Sequence, residues 1–290
     1  MSIKALKLKI ISITAAIIFC GLLSETSRAQ DYLSAGEIAV ISAASVGITV
    51  FGHKVKVSAK NNNSLIKGPI LFDAQLQKFL GGECREGKTN FLDNTFGSAF
   101  TGGLYGTMLF AADMSWPQTD DKGKFVAQDM FLYGSGLLAT KGITSLAKGL
   151  VARERPLLCL EPEIAGLRNN VDHSYDRNAF FSGHSSSAFF AAVYLNKRLR
   201  SIMRHELSND KYDSWKWAPP TILFTWSSVV GWSRIHAYKH FFTDVVAGAL
   251  VGFAVAELLY SFNDFDINAA SGSGSPSPPS RQIFQVRFTF

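Results

Sequence analysis

Apolar and small residues gather in six long runs along the chain, and segments carrying Gly, Asp and Lys separate these runs. Strict alternation of apolar and polar residues is scarce within the runs, which are long enough for helices. They cover Glu37–Phe51, Asn94–Ala112, Ala127–Leu150, Ser182–Leu199, Pro220–Trp232 and Phe241–Phe262. The pattern predicts an all-α fold, a single helical-bundle domain of about six core helices. The segments Trp116–Val126, Leu160–Tyr175 and Arg200–Pro219 are predicted to be loops.

The two ends of the chain depart from this pattern. Residues 1–29 have the three parts of an export signal: a start with three lysines, an apolar stretch at 10–23, and small residues at Ser27 and Ala29. Residues 271–281 are rich in Gly, Ser and Pro, which is typical of a flexible linker. The predicted domain therefore covers residues 30–270. The signal indicates export to the periplasm or cell envelope.

Residues 282–290 form a strand-like C-terminal tail. Phe284, Val286, Phe288 and Phe290 alternate with polar residues at the period of a β-strand. A single strand has no backbone partners of its own. The tail is interpreted either as an edge strand that docks on the body or as an envelope-targeting or partner-binding signal.

Composition and charge limit the class of protein. A chain of 290 residues with 47% apolar content can bury one substantial core. Residues 1–29 hold four of the 29 basic and one of the 23 acidic residues, which leaves a net charge of +3. That charge is too small to indicate a nucleic-acid partner. The basic residues beside position 200 are predicted to form a solvated face; they are Lys197, Arg198, Arg200 and Arg204.

Two cysteines, Cys84 and Cys159, remain once the segment that contains Cys20 is removed. In an oxidising compartment they either pair in a disulfide or are two unrelated small apolar residues. The sequence leaves both alternatives open.

The relation of the helices to a membrane is also left open. A membrane span needs about 20 apolar residues, and several runs are shorter or interrupted, as Lys141 interrupts one. The mean hydropathy of the whole chain is +0.11, and most of it comes from the export signal. An exported soluble or peripheral protein is therefore favoured. An integral membrane protein is the alternative, with the basic stretch Lys197–Arg204 as a positive-inside loop.

Three motifs in the second half of the chain carry the chemistry. They are Lys-x6-Arg-Pro ending at Pro156, Ser-Gly-His ending at His184, and Ser-Arg-x5-His-x3-Asp ending at Asp244. Together they supply two guanidinium groups, an ammonium, a hydroxyl, two imidazoles and a Gly that lets backbone N–H groups approach a ligand. This set is suited to binding and cleaving a phosphate ester without a metal.

The third motif contains the predicted nucleophile. On a helix beginning near His240, Asp244 lies one turn further along the same face. Its carboxylate is predicted to accept a ring N–H and leave the other ring nitrogen free to attack phosphorus. His240 is thus the predicted nucleophile, and Asp244 the partner that orients it and stabilises its positive charge.

The other motif residues are predicted to bind the phosphate and move protons. His184 follows Ser182 and Gly183 at a predicted helix start, where N–H groups favour an anion, and it is assigned as general acid and then general base. Ser182 is interpreted as a phosphate ligand, as a helix N-cap, or as both. The cations of the set, Lys148, Arg155 and Arg234, are predicted to surround the phosphate oxygens.

Two further charged residues lie next to the first motif. Arg153 and Glu154 fall between its matching positions, and they are predicted to form a surface charge pair. No functional role is expected of either residue.

In these motifs the sequence resembles the type 2 phosphatidic acid phosphatase superfamily, which includes bacterial class A acid phosphatases and vanadium haloperoxidases. The resemblance covers Lys148 to Asp244 and departs at Phe181, where the family usually has Pro. It implies a helical-bundle core, no metal or other cofactor, and a phosphohistidine intermediate. The residues it carries over are Lys148, Arg155, Ser182, Gly183 and Arg234 as phosphate ligands, His184 as acid and base, His240 as nucleophile and Asp244 as its partner.

The expected activity is hydrolysis of phosphate monoesters or diphosphates, on a phosphorylated lipid or a small soluble ester. The alternatives are a vanadate-dependent haloperoxidase that uses the same pocket and a non-catalytic envelope protein that retains it. A membrane surface is a further expected partner. Aromatic residues form either an acyl-chain entrance or ordinary core; they are Trp215, Trp217, Trp226, Trp232, Phe241 and Phe242.

Overall fold

The six apolar runs form six long helices in a computed structural model of the chain, which describes residues 32–58, 65–81, 98–115, 122–157 and 177–262. Two short helices join them. In chain order the helices are α1 (Ala35–Ser58), α2 (Asp73–Leu80), α3 (Ser98–Ser115), α4 (Lys122–Val151), α5 (Gly183–Glu206), α6 (Asn209–Trp215), α7 (Ala218–His236) and α8 (Phe242–Tyr260). The described ranges contain no strand. The predicted all-α fold is confirmed.

Two of the predicted loops are partly helical. Most of Arg200–Pro219 is helix, because α5 continues to Glu206 and α6 follows it. The last part of the predicted loop Trp116–Val126 is also helical, because α4 begins at Lys122. The physical reason is burial: the side chains of Phe125 and Val126 pack against Ile202 and extend both helices. The third predicted loop lies outside the described residues.

Helix α5 lies in the middle of the bundle, in contact with α3, α4, α7 and α8. Its contact with α8 is close because glycines of α8 face the main chain of α5. A Cβ atom at Gly248 or Gly252 would collide with the backbone of Ser182 or Ser186. This close approach holds the start of α8 beside the start of α5.

Helices α1 and α4 run parallel to each other. The amide of Leu33 donates to Oε1 of Gln128 at 2.7 Å near their starts, and the Thr49 hydroxyl donates to the Leu138 carbonyl at 2.9 Å further along. The end of α1 therefore lies beside the end of α4, which is the end that carries Lys148.

Aromatic side chains fill the core between α4, α5 and α8. The rings of Tyr133, Phe190, Tyr194 and Tyr260 follow one another in tilted and edge-to-face contacts, with centroids 5.2–5.8 Å apart. Each fully buried large apolar side chain contributes about 1.5–3 kcal/mol to folding. This core fixes the helices whose ends carry the three motifs.

One residue of the predicted solvated face is instead deeply buried. Arg198 is 1% exposed, and its Nε atom lies 2.6 Å from Asp129 Oδ2 and 3.2 Å from Asp113 Oδ1. The prediction for Arg198 was wrong because two carboxylates on other helices compensate the guanidinium charge. Its neighbours Lys197 and Arg204 are only partly covered.

Several predictions fall on parts of the chain outside the described residues: the export signal, the linker, the C-terminal tail, Cys84 and Cys159. They stay predictions. Among the described helices, α1 and α8 are long and apolar enough to cross a membrane, a test that a buried helix of a soluble protein also passes.

Candidate active site

The three motifs meet at one end of the bundle. Lys148 lies in the last turn of α4, His184 in the first turn of α5, Arg234 in the last turn of α7 and Asp244 in the first turn of α8. The amide of Ser182 donates to the carbonyl of Asp244 at 3.0 Å and joins the second motif to the third. The structure therefore brings together all the residues that the motifs singled out.

The imidazole of His240 is almost fully enclosed, with 2% of the residue exposed. Its Nδ1 atom lies 2.6 Å from the carbonyl oxygen of Ala179. Because a carbonyl only accepts hydrogen bonds, Nδ1 carries the proton and Nε2 keeps its lone pair. The geometry thus presents Nε2 of His240 as the atom able to attack.

This hydrogen bond corrects the predicted contact between His240 and Asp244. The distance from His240 Nδ1 to Asp244 Oδ2 is 3.9 Å, and the ring N–H is given to Ala179 instead. The reason lies in the helix boundary: α8 begins at Phe242, so His240 precedes the helix. Oδ2 of Asp244 accepts the amide of Phe241 at 2.9 Å and closes the first turn. Asp244 remains close enough to stabilise a positive charge on the ring.

Arg153 does not form the predicted surface pair with Glu154. Its side chain is 0% exposed, and it makes ion pairs of 2.6 Å with both Asp73 and Asp244. The surface prediction was wrong because Asp73 lies 80 residues earlier in the chain, in a segment without a motif. Burial of a guanidinium requires such partners.

Ser182 is the N-cap of α5. Its Oγ accepts the amide of Ser185 at 3.3 Å and the hydroxyl of Ser185 at 2.9 Å. The structure thus shows the N-cap arrangement, in which the Ser182 hydroxyl proton is still available to a ligand. Gly183 follows as the first helical residue, with its backbone beside Thr144.

The cations of the site act on one another. Burial lowers the pKa of Lys148 to about 7, with further contributions from Arg155, Lys56 and Arg234. Burial, followed by the charge of Arg234, lowers the pKa of His184 to about 3. These shifts show that positive charge is concentrated at this end of the bundle, where an anion would be stabilised.

The same effects keep His240 neutral. Burial, followed by the positive charges of Lys148, Arg155 and Arg234, holds the pKa of His240 well below its ordinary value. A neutral imidazole with a free Nε2 lone pair is the state that a nucleophile needs.

Sequence reasoning missed the residues that support this site. Asp73 and Gln77 lie one turn apart on the buried face of α2; Nε2 of Gln77 donates to the carbonyl of Ile235 at 2.7 Å. Lys56 contributes positive charge from α1. A buried acid at Asp73, inside the apolar stretch Ile70–Leu76, was the available signal.

The six aromatic residues named in the prediction do not form one cluster. Phe241 is fully buried and Phe242 is 38% exposed, both next to His240. Trp215 ends α6 and Trp217 precedes α7; they are 61% and 68% exposed and lie opposite the end of α7 that carries Arg234. These two tryptophans are therefore not an entrance to the site. Among the described residues, no group of three metal-ligating side chains occurs.

Residues 129–267 match a family model described as the PAP2 superfamily. Phospholipid phosphatase 2 of Homo sapiens is 29% identical over 157 residues, which cover 47% of this chain and 50% of that protein. The probable diacylglycerol pyrophosphate phosphatase 1 of Schizosaccharomyces pombe is 35% identical over 86 residues, covering 28% of this chain and 29% of that protein. The chain spans about half the length of the phospholipid phosphatases that it matches.

Two solved structures are also similar. The crystal structure of Aquifex aeolicus LpxE aligns with a TM-score of 0.39 and 19% identity, over 66% of this chain and 96% of that chain. A transmembrane PAP2-type phosphatidylglycerolphosphate phosphatase from Bacillus subtilis aligns with a TM-score of 0.40 and 18% identity, over 86% and 94%. Both scores are too low to add weight to the fold.

Proposed function

Because residues 129–267 match the PAP2 superfamily model, we propose that the chain is a phosphatase of this superfamily and acts through a phosphohistidine on His240. The observation that carries this proposal is the 2.6 Å hydrogen bond from His240 Nδ1 to Ala179, which leaves Nε2 free beside three cations. The substrates proposed are phosphate monoesters or diphosphates, with phosphorylated lipids preferred. Export to the cell envelope is proposed from residues 1–29.

The first chemical step is attack of His240 Nε2 on phosphorus. A bond forms between Nε2 and phosphorus while the bond from phosphorus to the leaving oxygen breaks. Protonated His184 donates a proton to that oxygen. The pKa of His184 is low in the empty site, and a bound phosphate dianion raises it because its charge opposes the nearby cations.

The second step regenerates the enzyme. Neutral His184 takes a proton from water, the water oxygen attacks phosphorus, and the bond to Nε2 breaks to release inorganic phosphate. Lys148, Arg155 and Arg234 stabilise the charge on the phosphate oxygens in both steps, and each contributes a few kcal/mol.

The preference for lipid is supported by the surface beside the site. On and next to α2, Leu71, Phe72 and Phe79 are 81%, 71% and 82% exposed, while Lys67 and Lys78 among them are exposed cations. Apolar side chains with flanking lysines fit an anionic lipid surface. The relatives named above are a phospholipid phosphatase and a probable diacylglycerol pyrophosphate phosphatase.

The proposed activity is tested by phosphate release from a soluble aryl phosphate and from a short-chain phosphatidic acid, in EDTA. The wild-type protein is expected to release phosphate, and His240→Ala to lose at least 10³-fold in kcat. His205→Ala is the matched control, because His205 pairs with Glu206 at the end of α5 away from the site. Equal loss in both variants, or no release by folded wild type from either substrate or from a diphosphate, contradicts the proposal.

The lipid preference is tested separately. Phe72→Ser combined with Phe79→Ser is expected to lower kcat/KM about tenfold on phosphatidic acid in vesicles and to leave the soluble ester unchanged. Ile222→Ser, which changes a side chain that is 66% exposed near the start of α7, is the control. An equal effect on both substrates contradicts a lipid-docking role for this surface.

A further inference from the structure

Arg153 lies behind the proposed nucleophile and has all its donors in use. The guanidinium makes five hydrogen bonds for its five N–H groups: to Asp73 Oδ2 and Asp244 Oδ1 at 2.6 Å, to Thr243 Oγ1 at 2.8 Å, and twice to the Gly68 carbonyl at 3.1 and 3.3 Å. Its Cζ atom also lies 4.3 Å from the ring centroid of Phe241. A guanidinium held in this way has one position and one orientation.

Asp73 connects this arginine to the start of α8. Its Oδ1 accepts the amide of Thr243 at 3.0 Å, and its Oδ2 accepts the Thr243 hydroxyl at 2.7 Å. The amide of Thr243 is one of the N–H groups that a helix start leaves without an intrahelical partner. A carboxylate from α2 thus caps α8 from outside, three residues after His240.

Two routes lead from Arg153 to the imidazole of His240. The Arg153 carbonyl accepts the amide of Ala179 at 3.0 Å, and the Ala179 carbonyl accepts Nδ1 of His240 at 2.6 Å. The Arg153 side chain fixes Asp244, which in turn holds the amide of Phe241, the residue after His240. Arg153 therefore sets the acceptor of the ring N–H and also the turn that carries the ring.

We propose that Asp73, Arg153 and Thr243 form a positioning clamp that holds His240 Nε2 in line for attack on phosphorus. The clamp touches neither the phosphate nor the reacting atoms, so its members are positioning residues. This inference rests on the proposed function. Asp73 precedes residues 129–267 and all three motifs. A residue from the first third of the chain therefore supports a site whose motifs lie in the second half.

A clamp and a merely structural ion cluster differ in what they change. A structural cluster alters the fraction of folded protein, whereas a clamp alters the turnover of the folded molecules. Displacement of a reacting group by about 1 Å costs up to about 10²-fold in rate. The clamp does not hold the phosphate-binding cations, so the loss is expected in kcat and not in KM.

The test compares Asp73→Asn and Thr243→Val with Tyr194→Phe. Thr243→Val keeps the shape of the side chain and removes both hydroxyl contacts, and Thr243 is only half-buried, so this variant is expected to fold. Tyr194→Phe removes a hydroxyl that donates to Asp129 at 2.6 Å in the other buried charge cluster, far from His240. Folding is checked by circular dichroism and thermal unfolding.

The clamp variants are expected to lose about ten- to a hundredfold in kcat, with KM within about twofold of wild type. Tyr194→Phe is expected to retain wild-type kcat. Folded Asp73→Asn and Thr243→Val proteins with wild-type kcat, or with a loss confined to KM, overturn the clamp. The same assay includes His240→Ala, which is expected to lose activity.

A second measurement does not depend on activity. In protein labelled with ¹⁵N-histidine, the Nδ1–H signal of His240 is assigned by its absence in His240→Ala. Its exchange with solvent is expected to be at least tenfold faster in Asp73→Asn and Thr243→Val and unchanged in Tyr194→Phe. Unchanged exchange in all three variants overturns the clamp, whether or not the wild type hydrolyses an ester. Absence of hydrolysis by the wild type contradicts the proposed function instead, so the two failures are distinguishable.

Discussion

Two buried arginines at opposite ends of the bundle show how differently one residue type is used. Arg153 and Arg198 are 0% and 1% exposed, each lies between two carboxylates, and each packs on an aromatic ring at 4.3 and 4.5 Å. Arg198 is on α5, 14 residues beyond His184, which is about 21 Å along the helix axis.

The two clusters differ in how completely their atoms are bonded. All five donors of Arg153 have hydrogen-bond acceptors. In the cluster of Arg198, by contrast, Nη2 of Arg198 has no hydrogen-bond partner among the described residues. The contact of 3.2 Å between Arg198 and Asp113 is an ion pair without hydrogen-bond geometry. Nearby carboxylates are therefore enough to keep an arginine buried. A full set of hydrogen bonds also fixes the positions of the residues around it.

The largest effects are expected from removing each arginine. Arg153→Ala and Arg198→Ala each leave buried carboxylates without their cation, so both should lower the free energy of unfolding by about 3–5 kcal/mol. Only Arg153→Ala should also lower the kcat of the folded protein, by about 10²-fold or more. The comparison needs urea unfolding and turnover at a temperature where both variants are folded. Equal losses of kcat would remove the distinction between the two clusters.

The next effect concerns charge at the site end. In the empty site the pKa of Lys148 is lowered to about 7, so its ammonium is lost as the pH rises through that value. Wild-type kcat/KM, which reports the free enzyme, should therefore fall above about pH 7. In Lys148→Arg the guanidinium stays charged, and the fall should move to higher pH. An alkaline limb that stays at the same pH in Lys148→Arg would assign the titration to another group.

The sequence predicts the helices and the reacting groups for a physical reason. Long apolar runs must be buried whatever their partners are. Three motifs with fixed internal spacing place His184 and Arg234 on helix ends that pack together, and His240 two residues before the start of α8. The site was therefore predictable as a set of residues. Family resemblance added the roles, which remain proposals.

The sequence does not predict which charges are buried. Arg153 and Arg155 are two residues apart, and only Arg155 belongs to a motif, yet both are buried. One carboxylate that stabilises the buried charge of Arg153 belongs to Asp73, which is 80 residues away on a helix of eight residues. The hydrogen bond of His240 was missed for a related reason, since it is made to a backbone carbonyl, and every residue has one.

A smaller effect, on the pH dependence of the free energy of unfolding, is expected from Asp113 in the cluster of Arg198. Burial, followed by the negative charge of Asp129, raises the pKa of Asp113. Stability from its protonated form is fully present below the pKa of the unfolded chain and is lost as the pH rises towards the raised value. Asp113→Asn, which stays neutral, should therefore gain stability relative to wild type between pH 5 and pH 8. Urea unfolding at both pH values measures this, and a relative gain by wild type as the pH rises would contradict it.

The smallest effect is expected one position before Arg198. Lys197 Nζ pairs with Glu257 Oε2 at 2.7 Å, and the two side chains are 32% and 26% exposed. Water screens such a pair, so Glu257→Gln should change the free energy of unfolding by less than about 1 kcal/mol and leave kcat unchanged. Adjacent helical residues point about 100° apart, so one predicted basic face contains both a weak surface pair and a buried cluster. A loss of stability in Glu257→Gln as large as that in Arg198→Ala would contradict this expectation. It would mean that Lys197 and Arg198 belong to one buried network.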